Sequence, residues 1–322
     1  PPTCTILTHS LQSNCLSFYD RELRDILAVH SEVAQAIARE IRIAVSPEEN
    51  MRLASVRRVN PETYEAYLKG VQYWYKLTPE DIDTALEYFE LALRKDPNYA
   101  PAHSGLALVW LGRQQMGYTP PREAGPKAKA AALKAVELDN TLAEAHTSLA
   151  DVKGFYEWDW AGAESESKRA IELDPGFPDA RAAYSQYLMI MKRLEEAMAQ
   201  IQRALQLDPL NALFQAFYGL DLQTAGRYDE AIAQFRKALR TSPGLPFARK
   251  NIALSLFNKG LYVDSLAQWK ACFAGDRELE EALAQGFVQS GYRGAMRRAA
   301  DTLAARSRTS YVSFETIAFL YI

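Results

Sequence analysis

Cysteine is scarce in this chain of 322 residues, which has only Cys4, Cys15 and Cys272, widely spaced and odd in number. This excludes a disulfide framework and favours a reducing compartment such as the cytoplasm. The sequence lacks any apolar run near the roughly 18 residues that a membrane-spanning helix needs. It also lacks the basic region that opens a signal peptide. We therefore expect a cytoplasmic protein without a membrane partner.

An excess of charge of one sign is lacking too, since the net charge is −3. This argues against nucleic acid as a partner. Catalytic signatures are missing, because there is no G-x-S-x-G elbow and no glycine-rich phosphate loop. His103 and His146 stand at equivalent places without a Cys or a second His at ligand spacing, which favours packing roles over a zinc site. We predict no catalytic residue, no metal and no cofactor.

Regularly spaced dipeptides are what the sequence does have. Their intervals along the chain are 43, 35, 34 and 34 residues. The dipeptides are Asp96-Pro97, Asp139-Asn140, Asp174-Pro175, Asp208-Pro209 and Ser242-Pro243. A fixed period of about 34 residues is typical of a helical solenoid. The long first interval contains an insertion at residues 115–121, and insertions in such repeats form loops on one face, often the binding face.

The clearest unit spans residues 212–243. Ala231, Phe235 and Ala238 are spaced i, i+4 and i+7, which places them on one stripe of a helix. Pro243 then ends that helix, because proline cannot continue the hydrogen-bond ladder. Similar stripes precede Pro97, Pro175 and Pro209. The pattern resembles the tetratricopeptide repeat over residues 61 to about 276.

This resemblance implies an all-α fold, a right-handed superhelical solenoid of antiparallel helix pairs. We expect about six to seven repeats over 59–322, with the seventh pair at 279–291 and 295–306 and the last repeat truncated. Residues 18–58 have helical apolar spacing and are expected to form an N-terminal helical segment. Residues 1–17 are irregular. The missing initiator methionine and the half repeat at 312–322 indicate a fragment of a longer protein.

Several segments are similar to a bacterial family, beyond the repeat itself. They are residues 19–27, 31–38, 60–70, 143–146 and 158–164, the last reading Trp-Asp-Trp-Ala-Gly-Ala-Glu. The family comprises multidomain signalling proteins in which a winged helix, a serine/threonine kinase or an adenylate/guanylate cyclase domain precedes a TolB-like segment and tetratricopeptide repeats. The resemblance implies that 18–58 is the end of a TolB-like region and that the chain is a sensory or scaffolding module.

The concave groove of the solenoid is the predicted partner site. First-helix positions 2, 5, 9 and 12 of each unit share one face because of the 3.6-residue period. The resulting groove residues are Ser148, Val152, Phe155, Asp179, Gln186, Met189, Leu213, Leu220, Gln223, Phe247, Lys250, Leu254 and Phe257. This stripe is mostly apolar, so we expect a protein or peptide partner, bound as an extended or helical apolar segment.

The leading functional hypothesis is a non-catalytic scaffold for protein–protein interaction. Two alternatives stay open: a hydrolase of the esterase or peptidase type with a non-standard site, and the sensory half of a transcriptional regulator. Trp158 and Trp160 are interpreted as plugs of a repeat turn, with a ligand contact as the alternative.

The C-terminal end carries several apolar residues. They are Ile317, Phe319, Leu320, Tyr321 and Ile322. Without a polar capping repeat they are expected to form an exposed surface. We therefore predict self-association through this last helix.

Overall fold

The computed structural model describes residues 59–321, and every regular element in that range is helical. No strand occurs between these two residues. The predicted all-α class is therefore confirmed. The segments predicted at 1–17 and 18–58 lie outside the described residues, as does Ile322.

Fourteen α-helices follow one another within residues 59–321. They are α1 Pro61–Trp74, α2 Pro79–Lys95, α3 Ala100–Gln115, α4 Pro121–Leu138, α5 Ala143–Val152, α6 Trp160–Leu173, α7 Pro178–Ile190, α8 Leu194–Leu207, α9 Ala212–Thr224, α10 Tyr228–Thr241, α11 Pro246–Asn258, α12 Tyr262–Cys272, α13 Arg277–Arg306 and α14 Phe314–Tyr321. A π-helical turn, Lys153–Glu157, extends α5. Consecutive helices pack as six pairs from α1/α2 to α11/α12, which confirms the solenoid of helix pairs.

The predicted seventh pair lies within α13. The backbone leaves the helical conformation at Ser290 and Gly291, so α13 consists of two helical segments joined by a sharp turn. Gly291 adopts a positive φ of 62°, which glycine tolerates without a steric penalty. A Cβ on Gly286 would lie 2.2 Å from the carbonyl oxygen of Gly294. Glycine at these two positions thus lets the segments cross in close contact.

The first residue of each dipeptide ends the second helix of a pair. Asp96, Asp139, Asp174, Asp208 and Ser242 are all C-caps with extended backbone, at φ between −131° and −153°. In three of them the aspartate carboxylate then accepts a hydrogen bond from the backbone N–H two residues on, at 2.9 to 3.0 Å. This side-chain bond stabilises the turn into the next repeat, which explains why Asp stands at these positions.

A second repeated contact accounts for both histidines singled out above. At each junction between pairs, a side chain on the first helix of the next pair donates a hydrogen bond to a backbone carbonyl oxygen in the turn. The accepting residue stands six positions before the donor. The pairs are His103 with Pro97 at 2.9 Å, His146 with Asn140 at 3.0 Å, Arg181 with Pro175 at 3.2 Å, Gln215 with Pro209 at 2.9 Å and Arg249 with Pro243 at 3.3 Å. Because Arg and Gln make the same hydrogen bond, this position requires a long side chain with a hydrogen-bond donor and does not require an imidazole.

The stripe of small and aromatic residues packs as the sequence predicts. Ala231, Phe235 and Ala238 are fully buried between α9 and its partner α10. The Phe235 ring lies against Gly219, where a Cβ would be 2.7 Å from the ring. Phe89 is placed in the same way against Gly70 of its own pair, with a corresponding distance of 2.6 Å. Each aromatic ring therefore fills the space left by a missing side chain on the first helix.

Replacement of Ala231 by Leu tests this packing. We expect Ala231→Leu to lower the free energy of unfolding by about 1–3 kcal/mol, because a fully buried position between two helices has no room for three more carbons. Ala233→Leu, on the exposed face of the same helix, is the matched control and should change it by less than about 0.5 kcal/mol. Equal effects of the two substitutions in thermal melts would contradict the predicted register.

The C-terminal helix differs from the expectation. Ile317 and Leu320 are buried against α13 and the preceding repeats, and Phe319 lies beneath the ammonium group of Lys250 at 4.5 Å. The expectation that these three residues form an exposed end is therefore wrong. Tyr321 is 52% exposed, as expected, and Phe314, which is 79% exposed, is a second large apolar residue that α14 leaves open. Self-association stays a prediction.

Candidate functional site

A cavity of 480 Å³ lies on the inner face of the solenoid. The first helices α3, α5, α7, α9 and α11 form its walls, because the first helices of the pairs face inward as the solenoid curves. Its lining is largely aromatic and aliphatic, with polar groups at a few points. A volume of this size is typical of sites for small molecules or for a few side chains of a partner.

Eight of the thirteen predicted groove residues line this cavity. They are Phe155, Asp179, Gln186, Met189, Leu213, Leu220, Phe247 and Lys250. The π-helical turn places Phe155, and the other seven lie along α7, α9 and α11. The inward face of these three first helices is therefore continuous.

The other five predicted residues lie elsewhere. Ser148 and Val152 are buried within the helix packing, and the Ser148 hydroxyl donates to the carbonyl of Ala145 at 3.0 Å. Gln223 donates to the Ser255 hydroxyl at 2.9 Å and to the Asn251 carbonyl at 3.1 Å. Its amide thus joins α9 to α11.

Leu254 and Phe257 belong to the C-terminal part of the solenoid. Leu254 packs against the hydrophobic cluster formed by α12, α13 and α14. Phe257 stacks on Tyr292 with ring centroids 5.7 Å apart. These two side chains stabilise the seventh pair, and the 480 Å³ cavity lies outside their contacts.

Several lining residues come from parts of the chain that the groove prediction did not include. They are Trp74 at the end of α1, Leu77 after it, Met116 and Tyr118 in the inserted loop, Trp269, Cys272 and Phe273 at the end of α12, and Ser313, Glu315 and Thr316 at the start of α14. The predicted positions were confined to first helices of central repeats. The insertion was the available signal for Met116 and Tyr118.

Contacts between distant repeats close one side of the cavity. The Tyr75 hydroxyl donates a hydrogen bond of 2.7 Å to Asp179 Oδ1, and its ring packs edge-on against Phe214 with centroids 6.2 Å apart. The inserted loop approaches the start of α14, since a Cβ on Gly117 would lie 2.5 Å from Ser313 Cβ. The groove is therefore a short, partly enclosed cavity and not a long open channel.

Two aspartates give the cavity its electrostatic character. Burial, together with the nearby charge of Asp179, raises the pKa of Asp151 to about 7. Burial likewise raises the pKa of Asp179 to about 6, against the lowering effect of the Tyr75 hydrogen bond. Lys250 is the cation of the lining, and its ammonium group is 2.8 Å from Glu315 Oε1.

The two tryptophans of the resemblance segment have different environments. Trp160 is half-buried and packs in the core beside Ala163. Trp158 is 70% exposed, with a left-handed backbone at φ 60°, and its ring contacts Trp160 edge-on at 5.5 Å. The interpretation that both indoles plug the turn is therefore wrong for Trp158.

Potential metal ligands do not gather in the part of the chain that the structure describes. Between residues 59 and 321, no group of three or more His, Cys, Asp or Glu side chains is placed to hold a metal ion. Cys272 is a free thiol whose pKa burial raises to about 11, which disfavours a thiolate nucleophile. The arrangement can bind and enclose a ligand, and the hydrolase alternative gains no support from it.

Comparison with known families decides the nature of the repeat. Residues 157–220 match a family model described as tetratricopeptide repeat, and residues 222–244 match a second model of the same description. The central part of the solenoid, over these residues, matches the tetratricopeptide repeat. This is an interaction fold that is typically non-catalytic, in agreement with the prediction that the chain is not an enzyme.

Two curated proteins are similar to this chain. One is putative adenylate cyclase 3 of Rhizobium meliloti, 30% identical over 135 residues, or 41% of this chain and 23% of that protein. The other is the transcriptional regulator HilA of Salmonella typhimurium, also 30% identical over 135 residues, or 42% and 24%. The chain spans about a quarter of the length of these relatives. A cyclase and a transcriptional regulator fit the signalling family that the sequence resembles.

One solved structure supports the fold alone. Human IFIT1, as a dimer with m7Gppp-AAAA, has a TM-score of 0.60 and 16% identity, covering 76% of this chain and 58% of that one. A tetratricopeptide repeat protein from Parabacteroides merdae has a TM-score of 0.48 and 15% identity, covering 80% of this chain and 98% of that one.

No helix within residues 59–321 is both long and apolar enough to cross a membrane.

Proposed function

We propose that this chain is a protein-interaction module that binds a short apolar segment of a partner in the cavity of the solenoid. The observation that carries the proposal is the inward face of α7, α9 and α11, where apolar side chains surround a partly enclosed volume of 480 Å³. Tetratricopeptide repeats supply such faces on rigid helix pairs, which lowers the cost of ordering the site on binding.

The size of the cavity limits what the partner inserts. An α-helix with its side chains is about 10–12 Å across, and the contact of Tyr75 with Asp179 and Phe214 closes one side of the cavity. We therefore favour insertion of a few apolar side chains over burial of a whole helix. Leu213, Leu220 and Phe247 provide the apolar surface against which these side chains would pack.

A substitution at Leu220 tests the proposal. Peptides selected from a random phage-displayed library against the wild-type protein serve as the probe. We expect Leu220→Glu to weaken their binding by at least about tenfold, because it places a charge where apolar surface is buried. Fluorescence anisotropy of the labelled peptides would measure the loss, and circular dichroism would verify the helical content.

Leu133→Glu is the matched control, since Leu133 is an exposed residue of α4 outside the cavity. It should leave peptide affinity unchanged. Equal affinities of all three proteins would exclude the cavity as the peptide site. Leu254→Glu is unsuitable here, because Leu254 packs in the C-terminal cluster and a charge there would destabilise the fold.

A second candidate role is sensory, within a larger regulatory protein. The observation in its favour is the similarity to a cyclase and to HilA over about 135 residues. In this role, partner binding in the cavity would regulate an effector domain on the same polypeptide. The sequence of the full reading frame would test it, followed by an assay of the effector with and without residues 59–321. An effector that is indifferent to this deletion would exclude regulation by the repeats.

A further inference from the structure

We propose that the cavity is also a binding site for a small organic cation, an apolar primary amine with an aryl or alkyl body. The site combines two carboxylates that have no partner cation among residues 59–321 with a wall of aromatic rings around a volume of drug-like size. This ligand class is distinct from the peptide partner proposed above, although both would occupy the same cavity.

The carboxylates supply the recognition of charge. Asp151 lies on α5 and Asp179 at the start of α7, and both line the cavity. Among residues 59–321 neither forms a salt bridge, and the hydrogen-bond donor to Asp179 is a neutral tyrosine hydroxyl. An ammonium group has three donors and a full charge, which is the chemistry that two neighbouring unpaired carboxylates accept best.

The charge of the lining excludes an anionic ligand. Lys250 is already neutralised, because its ammonium group is 2.8 Å from Glu315 Oε1 and 4.5 Å from the centroid of the Phe319 ring. Glu144, two helical turns before Asp151 on α5, lies outside the lining but close enough to Asp179 for their charges to interact, and burial raises its pKa to about 7. Among residues 59–321, no cation is paired with the carboxyl groups of Asp151 and Asp179 on the α5 and α7 side of the cavity.

Aromatic side chains supply the rest of the site. Phe155, Phe214, Phe217 and Phe247 line the cavity, with Trp74 at its edge. Aromatic faces attract a cation within about 6 Å of the ring centroid, and this attraction is larger where water is excluded. The same rings bury the apolar body of the ligand. An apolar amine can therefore contact the carboxylates with its ammonium group and the aromatic side chains with its apolar body.

A series of three probes with one skeleton tests the inference by isothermal titration calorimetry at about pH 8, where both aspartates are mostly ionised. The probes are 3-phenylpropylamine, 3-phenylpropan-1-ol and 3-phenylpropanoate. We expect the amine to bind at least about tenfold more tightly than the alcohol, and the carboxylate not to bind detectably. Equal binding of amine and alcohol, or tighter binding of the carboxylate, would overturn the proposal without need of any variant.

Two isosteric variants locate the charge. Asp151→Asn and Asp179→Asn should each weaken amine binding by about tenfold while leaving the weak binding of the alcohol unchanged. Asp264→Asn, at an exposed position of α12, is the control and should bind like the wild type. Unchanged amine affinity in both cavity variants would place the amine elsewhere. Loss of amine binding with intact peptide capture, or the reverse, separates this inference from the proposed function.

Discussion

Replacement of Asp221 by Asn is expected to stabilise the protein by about 2–4 kcal/mol at pH 7. Asp221 lies on α9 with no exposed surface, and neither of its carboxylate oxygens has a hydrogen-bond partner among the described residues. Burial raises its pKa to about 8. The folded protein must therefore keep a proton on this group that the unfolded chain releases, and that requirement lowers its stability.

The sign of the pH dependence follows from the same shift. Below about pH 3 the carboxyl is protonated in both states, so it contributes no difference. As pH rises towards 8, the unfolded chain ionises first and the free energy of unfolding falls. Urea denaturation of the wild type and Asp221→Asn between about pH 4 and 8 would measure it. The variant should lose less stability over this range, whereas Asp264→Asn should follow the wild type. Parallel curves for wild type and Asp221→Asn would contradict the assignment.

Replacement of Phe235 by Ala is expected to lower the free energy of unfolding by about 3–5 kcal/mol. Phe235 is among the largest side chains that are fully buried, and its ring occupies the space beside Gly219. Its removal leaves a cavity between α9 and α10. Phe314→Ala makes the same chemical change at a position that is 79% exposed and should cost less than about 0.5 kcal/mol. A loss below about 1 kcal/mol at Phe235 would mean that the helix pair collapses around the cavity.

A double substitution separates lost packing from other effects. In the wild type, Gly219→Ala would place a Cβ 2.7 Å from the Phe235 ring and should be destabilising. In the Phe235→Ala background the ring is gone, so the added methyl group fills part of the space. The two substitutions should therefore cost less together than the sum of their separate effects. Additive costs would show that the ring and the glycine are energetically independent.

The repeat architecture was predictable from sequence because its signals are local. Each dipeptide ends a helix through the conformation of its own first residue, as at Asp174, and the stripe around Phe235 depends only on neighbouring helices. The seventh pair was also predictable, although its helices are joined within α13 at Gly291. Sequence patterns of this kind depend on contacts within one or two repeats, so they can be interpreted without knowing the structure of the whole molecule.

The cavity was predictable only in part, because it depends on how strongly the solenoid curves. Position counting found Asp179, Leu220 and Phe247, which face inward whatever the curvature. It could not find Trp74 or Ser313, because they reach the cavity only when repeats far apart in sequence approach each other. The repeat signature does not specify how closely repeats that are far apart in sequence approach each other. The burial of Asp221 was not predicted either, because in the sequence it looks like an ordinary polar residue of a first helix.

The contact of Tyr75 with Asp179 joins residues 104 positions apart, across several repeats. A simple solenoid unfolds one repeat at a time, because each unit touches only its neighbours. Here the first repeat also holds the fourth and fifth through Tyr75, so fraying of the N-terminal pair would break contacts in the middle of the chain. The array should consequently unfold with greater cooperativity than its repeat number implies, and it should fold more slowly because a long loop must close first.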